Sequence, residues 1–224
     1  DPFELTGLYH GVDIGRGDVV VLSSDDWRVT TRLDIEFSLG RETAALLEDR
    51  SRVRVHLGTS EVMARIRLDA PLAPGTTALA RLDLEEPVLA GGDDRLVLAS
   101  FSPVAVIGGG RVVDPLPGSR RRTPAGIAAL DPESRLEAMV GRRRHGVEVR
   151  LLPQLLGMPP VACAALLDRS SSVDMAGGLA VLRDDVRRLA LRLEETLARY
   201  HRESPHEPGM SVEALRDSLS VPDQ

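Results

Sequence analysis

The hydrophobic period of this chain changes once along its length. From about residue 29 to 113, apolar side chains come in short alternating runs, as in Arg52-Val53-Arg54-Val55-His56-Leu57 and Ala78-Leu79-Ala80-Arg81-Leu82-Asp83-Leu84. Alternation at period two places one face in a core and the other in water, which is the signature of a half-buried strand. The spacing predicts strands over Val29–Phe37, Arg52–Leu57, Glu61–Leu68, Ala78–Leu84, Leu96–Phe101 and Ala105–Val113, with one helical turn over Thr43–Glu48. Turn residues separate them at Leu39-Gly40, Gly58-Thr59, Pro71 to Gly75 and Gly91 to Asp94. Short strands at this spacing imply a closed barrel or a sandwich.

Beyond residue 132 the period is helical. Helices are expected over Pro132–Arg144, Val149–Leu156 and Pro159–Leu167, then a hairpin whose arms, Ser172–Met175 and Leu179–Leu182, flank Ala176-Gly177-Gly178. Helix, helix, turn, helix, hairpin is the order of an α+β winged helix. The clearest helix is Asp184–His201, where Val186, Leu189, Leu193, Leu197 and Tyr200 recur at spacings of three and four. Asp184 and Asp185 lie at its positive end and Arg199, His201 and Arg202 at its negative end. Ser211 is placed to cap a last helix reaching Leu219. The resulting partition is 1–28 as the tail of something larger, 29–114 as the barrel or sandwich, 115–134 as a Pro/Gly/Arg-rich linker, 135–183 as a winged helix, and 184–224 as the start of a second. Gly11–Leu22 reads as a turn feeding one strand, whose edges need partners in the barrel or upstream.

Charge is distributed unevenly. All 28 Lys-or-Arg positions are Arg, and residues 1–119 carry 12 Arg against 19 carboxylates, a balance of −7. Residues 118–150 carry 8 Arg against 4 carboxylates. A basic junction in an acidic chain points to a polyanion near that junction. No run of about 18 apolar residues supports a membrane span. The lone Cys163 cannot form an internal disulfide, which suits a reducing cytoplasm.

A resemblance sharpens this reading. Arg54-Val-His-Leu-Gly-Thr-Ser-Glu-Val-Met-Ala-Arg65, Leu84-Glu-Glu-Pro-Val88, Asp94-Arg-Leu-Val-Leu98, Ser100-Phe-Ser-Pro103 and Ile107-Gly-Gly-Gly-Arg-Val-Val-Asp-Pro115 follow in order. This series resembles the third, elongation-factor-Tu-like barrel domain of SelB, the bacterial selenocysteine-specific translation elongation factor. Tyr200 to Arg216 is similar to the second winged helix of that family, and Leu8–Leu22 to the closing strand of its second barrel domain. The family often has Arg where Ala99 stands and Thr where Val106 stands, so contacts made through those side chains are absent here.

The resemblance implies a factor that binds GTP with magnesium in its full-length form. It would carry selenocysteinyl-tRNA to the ribosome at UGA codons and contact an mRNA hairpin through terminal winged helices that lie past this chain. These 224 residues contain no Gly-x-x-x-x-Gly-Lys-Ser/Thr motif and no lysine to complete one, so no enzyme activity and no cofactor is expected of them. They would supply the tRNA-facing barrel and a spacer.

Candidate RNA contacts are Arg54 and His56, two residues apart on one strand face, and the triplets Arg120, Arg121, Arg122 and Arg142, Arg143, Arg144, which could each neutralise phosphates. A helix reading Pro-Val-Ala-Cys-Ala-Ala-Leu-Leu has almost no side chain with which to read bases, which argues for a spacer. Gly108-Gly109-Gly110 is expected to serve close strand packing rather than a phosphate. No catalytic constellation and no metal-ligand spacing stands out around His201, Glu203, His206 and Glu207. Two other classes remain open: a winged-helix transcriptional regulator with a barrel sensor, which needs a polar recognition helix, and a barrel hydrolase or transferase, which needs a cleft of convergent titratable groups.

Overall fold

The computed structural model describes residues 15–21, 26–43, 46–118, 123 and 126–219. Its contacts divide the chain into two compact units, Asp1–Asp131 with Arg150–Cys163, and Pro132–Val149 with Ala164–Gln224.

The first unit is built on a closed barrel of six antiparallel strands: β1 (Thr30–Leu39), β2 (Arg52–Leu57), β3 (Ser60–Arg67), β4 (Thr77–Val88), β5 (Arg95–Ser100) and β6 (Val106–Asp114). Their order around the barrel is β1-β4-β3-β2-β5-β6, with β6 returning to β1. Closure leaves no unpaired sheet edge, which removes the usual route to edge-to-edge association. Every second residue points inward, so Leu33, Ile35 and Phe37 of β1 meet Val53 and Val55 of β2, Ala64 and Ile66 of β3, Ala80 and Leu82 of β4, and Leu98 of β5 in one apolar core.

Among the described residues Phe37 is the one aromatic ring in that core, and β6 makes room for it with glycine. A Cβ on Gly108 would lie 2.2 Å from the Ser38 carbonyl oxygen and 2.7 Å from the Phe37 ring, and one on Gly110 would lie 2.3 Å from the Glu36 carbonyl oxygen. The triple glycine is therefore part of strand β6, as the close-packing expectation holds.

The end of the barrel departs from expectation. The described part of Thr43–Glu48 is not helical. The N–H of Leu47 donates to the Leu72 carbonyl at 3.0 Å, and the reverse bond is 2.9 Å. Both leucines are buried in the barrel core, so a cross-chain bridge that seats them replaces the local helical bonds. Residues 15–21 of the segment expected to hold a strand form a turn and extended coil, and Gly17 accepts a hydrogen bond of 2.6 Å from the Ser60 hydroxyl. The rest of 1–28 up to residue 14, and 22–25, lie outside the described residues.

The Pro-rich stretch after β6 is tied down. Thr123 and Ile127 are buried, and a 3₁₀ turn covers Ile127–Ala129. Further along the chain, α2 (Leu152–Leu156), preceded by a 3₁₀ turn at Val149–Leu151, contributes to the barrel unit through Gln154. Its side-chain nitrogen donates to the carbonyls of Arg28 at 2.7 Å and Ala90 at 2.9 Å, and its oxygen accepts the Arg28 N–H at 3.0 Å. The Gly92 N–H donates to the Gln154 carbonyl at 2.7 Å.

The second unit has the winged-helix elements. Helix α1 (Pro132–Gly141), α3 (Pro160–Arg169, from Ala164 on), and a sheet of β7 (Val147–Glu148), β9 (Leu179–Leu182) and β8 (Val173–Ala176) surround Leu136, Met139, Leu166 and Ala180. The β8–β9 hairpin turns through Gly177 and Gly178, with φ of 58° and 82°. Two successive left-handed residues make the type I′ geometry that glycine pairs favour. Arg183 donates to Asp174 at 3.0 and 2.7 Å, locking the hairpin to the start of α4 (Arg183–Glu203). Helix α5 (Val212–Leu219) begins where the Ser211 hydroxyl accepts the Ala214 N–H at 3.2 Å, as the capping pattern requires. No single helix among the described residues is long and apolar enough to cross a membrane.

Candidate nucleic-acid interface

Strand β2 sends Val53, Val55 and Leu57 into the core, which turns Arg52, Arg54 and His56 outward in a row. The two-residue turn Gly58-Thr59 pairs Leu57 with Ser60 and so sets His56 opposite Glu61 and Arg54 opposite Met63. On the other side, His56 faces Val97 and Arg54 faces Ala99. Beyond β5, Val97 faces Gly109 and Ala99 faces Val106. Two rows thus cross four strands: Glu61, His56, Val97, Gly109, and Met63, Arg54, Ala99, Val106. Apart from the two basic residues and Glu61, these positions are apolar or lack a side chain, so the face is shallow. Ala99 and Val106, where the family often has Arg and Thr, lie in the row of Arg54.

Each basic residue on β2 meets a carboxylate. Arg52 forms a bidentate pair with Glu85 at 2.8 and 2.7 Å, and its guanidinium stacks 4.6 Å above the Phe101 ring. The Arg52 bond holds the Glu85 carboxyl below the usual range. Arg54 pairs with Oε1 of Glu61, while Nδ1 of His56 lies 3.7 Å from Oε2 of the same residue. The Arg54 hydrogen bond lowers the Glu61 carboxyl below its ordinary value, with smaller contributions from the charges of Arg54, His56 and Arg16. Glu61 and Glu85 are partners of these candidate residues that a reading of the cations alone overlooks. Counting outward from the Gly58-Thr59 turn would have found Glu61.

The second candidate group follows α1, which ends at Gly141 rather than Arg144. Arg142, Arg143 and Arg144 form the turn after it, closed by Gly146 at φ 76°, with its N–H donating to the Arg143 carbonyl at 2.8 Å. Arg143 caps the helix it follows, donating to the Met139 carbonyl at 2.8 Å. A cation over the last carbonyls is favoured by the helix dipole. Arg144 is exposed, whereas Arg142 and Arg143 are half-buried. Arg120, Arg121 and Arg122 lie outside the described residues. Arg54 and His56 belong to the first unit and Arg142 to Arg144 to the second.

Two other features bear on activity. Helix α3 exposes Val161, Ala164, Ala165, Asp168 and Arg169, a surface nearly without donors for base edges. Cys163 on the same helix is buried, and burial pushes its thiol up to about 11, so the thiolate needed for nucleophilic chemistry is scarce at neutral pH. Among the described residues no group of three or more His, Cys, Asp or Glu is placed to hold a metal ion.

A closed antiparallel barrel followed by a helix-and-hairpin module defines the class: an elongation-factor-Tu-like barrel with a winged-helix region. Residues 30–119 match the family model of the selenocysteine-specific elongation factor β-barrel domain, and residues 195–224 match that of the elongation factor SelB winged helix. The chain belongs to the SelB family. It is 28% identical over 197 residues to the selenocysteine-specific elongation factor of Desulfomicrobium baculatum, an alignment covering 80% of this chain and 30% of that protein. The chain thus spans about a third of the length of the curated relative it matches. In fold it is similar to the crystal structure of bacterial selenocysteine-specific elongation factor EF-Sec, with a TM-score of 0.59 at 17% identity, covering 87% of this chain and 30% of the other.

Proposed function

We propose that this chain serves delivery of selenocysteinyl-tRNA to the ribosome at UGA codons, its barrel facing the tRNA and its winged-helix region acting as a spacer toward the mRNA-hairpin-binding end. The observation that carries the reading is the outward row Arg52, Arg54, His56 on β2, inside the matched SelB barrel and on a shallow face. An RNA duplex displays a wide, shallow minor groove bordered by phosphates and 2′-hydroxyls, and a shallow face with a few cations is complementary to it. Phosphate contacts position such a complex and make its affinity depend on salt. The exposed side of α3 supports the spacer reading, because it offers little to read bases with.

GTP and its magnesium ion would be held elsewhere in a longer factor. The glycine run that could suggest a phosphate cradle continues as strand through Arg111, and at Gly108 and Gly110 the Cβ positions lie against the β1 backbone, so this run does not fit a phosphate cradle. A cytoplasmic location accords with a translation factor.

The test is a titration of the chain with selenocysteine tRNA and with bulk tRNA, at low and at physiological salt. Salt-sensitive binding that prefers the selenocysteine tRNA and weakens in Arg54→Ala is the expected result. Equal or absent binding of the two RNAs at both salts overturns the tRNA-facing role.

A further inference from the structure

Glu61 lies between Arg54 and His56 on the barrel face. Its two carboxylate oxygens are divided between two basic side chains, Oε1 to Arg54 and Oε2 toward His56 at 3.7 Å. A phosphodiester presents the same arrangement, two anionic oxygens on one centre. The contact follows from register, because Glu61 is the direct cross-strand neighbour of His56 and lies two residues from the neighbour of Arg54. It is also incomplete. The Nε–H of Arg54 is buried and has no acceptor, so Glu61 engages the guanidinium at one corner and not along its fork. Bidentate pairing is the stronger mode for guanidinium with carboxylate or phosphate. At 27% side-chain exposure for Arg54 and 42% for Glu61, the pair is accessible to solvent and can open.

We propose that Glu61 is a specificity-determining residue, an internal counter-anion that holds Arg54 and His56 until an RNA phosphate displaces it. The proposal rests on the reading of this face as RNA-binding. A phosphate arriving here exchanges one anion for another, so a single isolated contact gains little. Only an RNA that also meets the rest of the shallow face makes the exchange favourable. Glu61 thereby suppresses binding of arbitrary polyanions, a repulsive element of the kind that specific interfaces use beside attractive ones.

The experiment uses the full chain and compares wild type, Glu61→Gln, Arg54→Ala, the double variant, and Glu86→Gln as a control that removes one exposed carboxylate elsewhere on the barrel. Each is titrated with fluorescently labelled selenocysteine tRNA and bulk tRNA across a salt series. Glu61→Gln is expected to bind about three- to fivefold tighter to both RNAs, the size of an exposed ion pair. Its log–log salt slope should be steeper by about 0.7–0.9, one more phosphate neutralised without a carboxylate set free. The tRNA preference should narrow, and the gain should vanish in the Arg54→Ala background. If Glu61→Gln matches wild type, or gains no more than Glu86→Gln, while Arg54→Ala still weakens binding, the counter-anion role is overturned and the RNA face stands. If no variant binds either RNA, the RNA face falls and the role of Glu61 falls with it.

Discussion

The carboxylate of Asp34 and the guanidinium of Arg81 face each other across β1 and β4 in a bidentate pair, with bonds of 2.7 and 3.0 Å, on the outside of the barrel yet only 3% and 6% exposed. Parity along β1 puts Leu33 and Ile35 inside and Asp34 outside, so something must cover it. That cover includes Thr123, whose N–H and hydroxyl both donate to Oδ2 of Asp34 at 2.8 Å. The stretch that reads as a linker is therefore anchored to the barrel wall by a buried polar cluster.

Removing one member of such a pair takes away the other's bidentate partner in a buried site. Asp34→Ala or Arg81→Ala should each lower unfolding stability by about 3–5 kcal/mol, and replacing both by Leu and Met should cost less than either alone. Urea denaturation of the three variants checks this, and a double variant as unstable as the worse single one would contradict it.

The glycines of β6 give a sharper contrast. Gly108→Ala places a methyl group against the Phe37 ring and the Ser38 carbonyl, whereas at Gly109 the nearest atom is the Leu96 carbonyl oxygen at 3.6 Å. Gly108→Ala should destabilise by about 1–3 kcal/mol through overpacking, with Gly109→Ala close to neutral. Thermal unfolding of the two variants side by side is the measurement.

Gln154 satisfies three backbone groups at once, the Arg28 N–H and the carbonyls of Arg28 and Ala90. Gln154→Leu removes that partner, at about 1–3 kcal/mol for the buried Ala90 carbonyl and less for the part-buried Arg28 groups. Hydrogen exchange at the Arg28 amide should accelerate in this variant more than exchange in β2 and β3.

Asp174 offers a test by pH. Its hydrogen bond from Arg183 holds the carboxyl below the ordinary aspartate value. A depressed carboxyl contributes stability that is present above its unfolded pKa and is lost as pH falls through the folded one. The hairpin should therefore loosen on acidification below the normal aspartate range. In Arg183→Ala the Asp174 carboxyl resonance should titrate at higher pH than in wild type, and no change would show that the pair is not formed in solution.

Cys163 should resist thiol reagents at pH 8 in the folded chain and react at once in denaturant, because burial holds the thiol at about 11. Ellman's reagent with and without urea distinguishes the two, and prompt reaction of the native chain would contradict the burial of α3 on that side.

Much of this was legible beforehand. All six strands lie within a few residues of their expected bounds, as do the hairpin and the last two helices, because each repeats one periodicity over enough residues to average out exceptions. Thr43–Glu48 misled for the opposite reason. Its helix formers are local, and the backbone of Leu47 is claimed by Leu72, a partner 25 positions away. At the candidate site, the outward placement of Arg54 and His56 follows from alternation alone. Their shared partner Glu61 depends on register, and the company of Val97, Ala99 and Gly109 depends on which strands adjoin.

The sequence by itself determined the two periods, the cationic residues on β2, and the apolar character of α3, since these depend on residue type and spacing within one segment. Tertiary structure alone decided that Asp34 is buried, that Thr123 ties down the chain after β6, that Gln154 joins the barrel, and that Glu61 sits between Arg54 and His56. Each of these turns on residues brought together by strand order and barrel closure. Whether a charge is free, paired or covered is a property of its neighbours in space, which no single segment records.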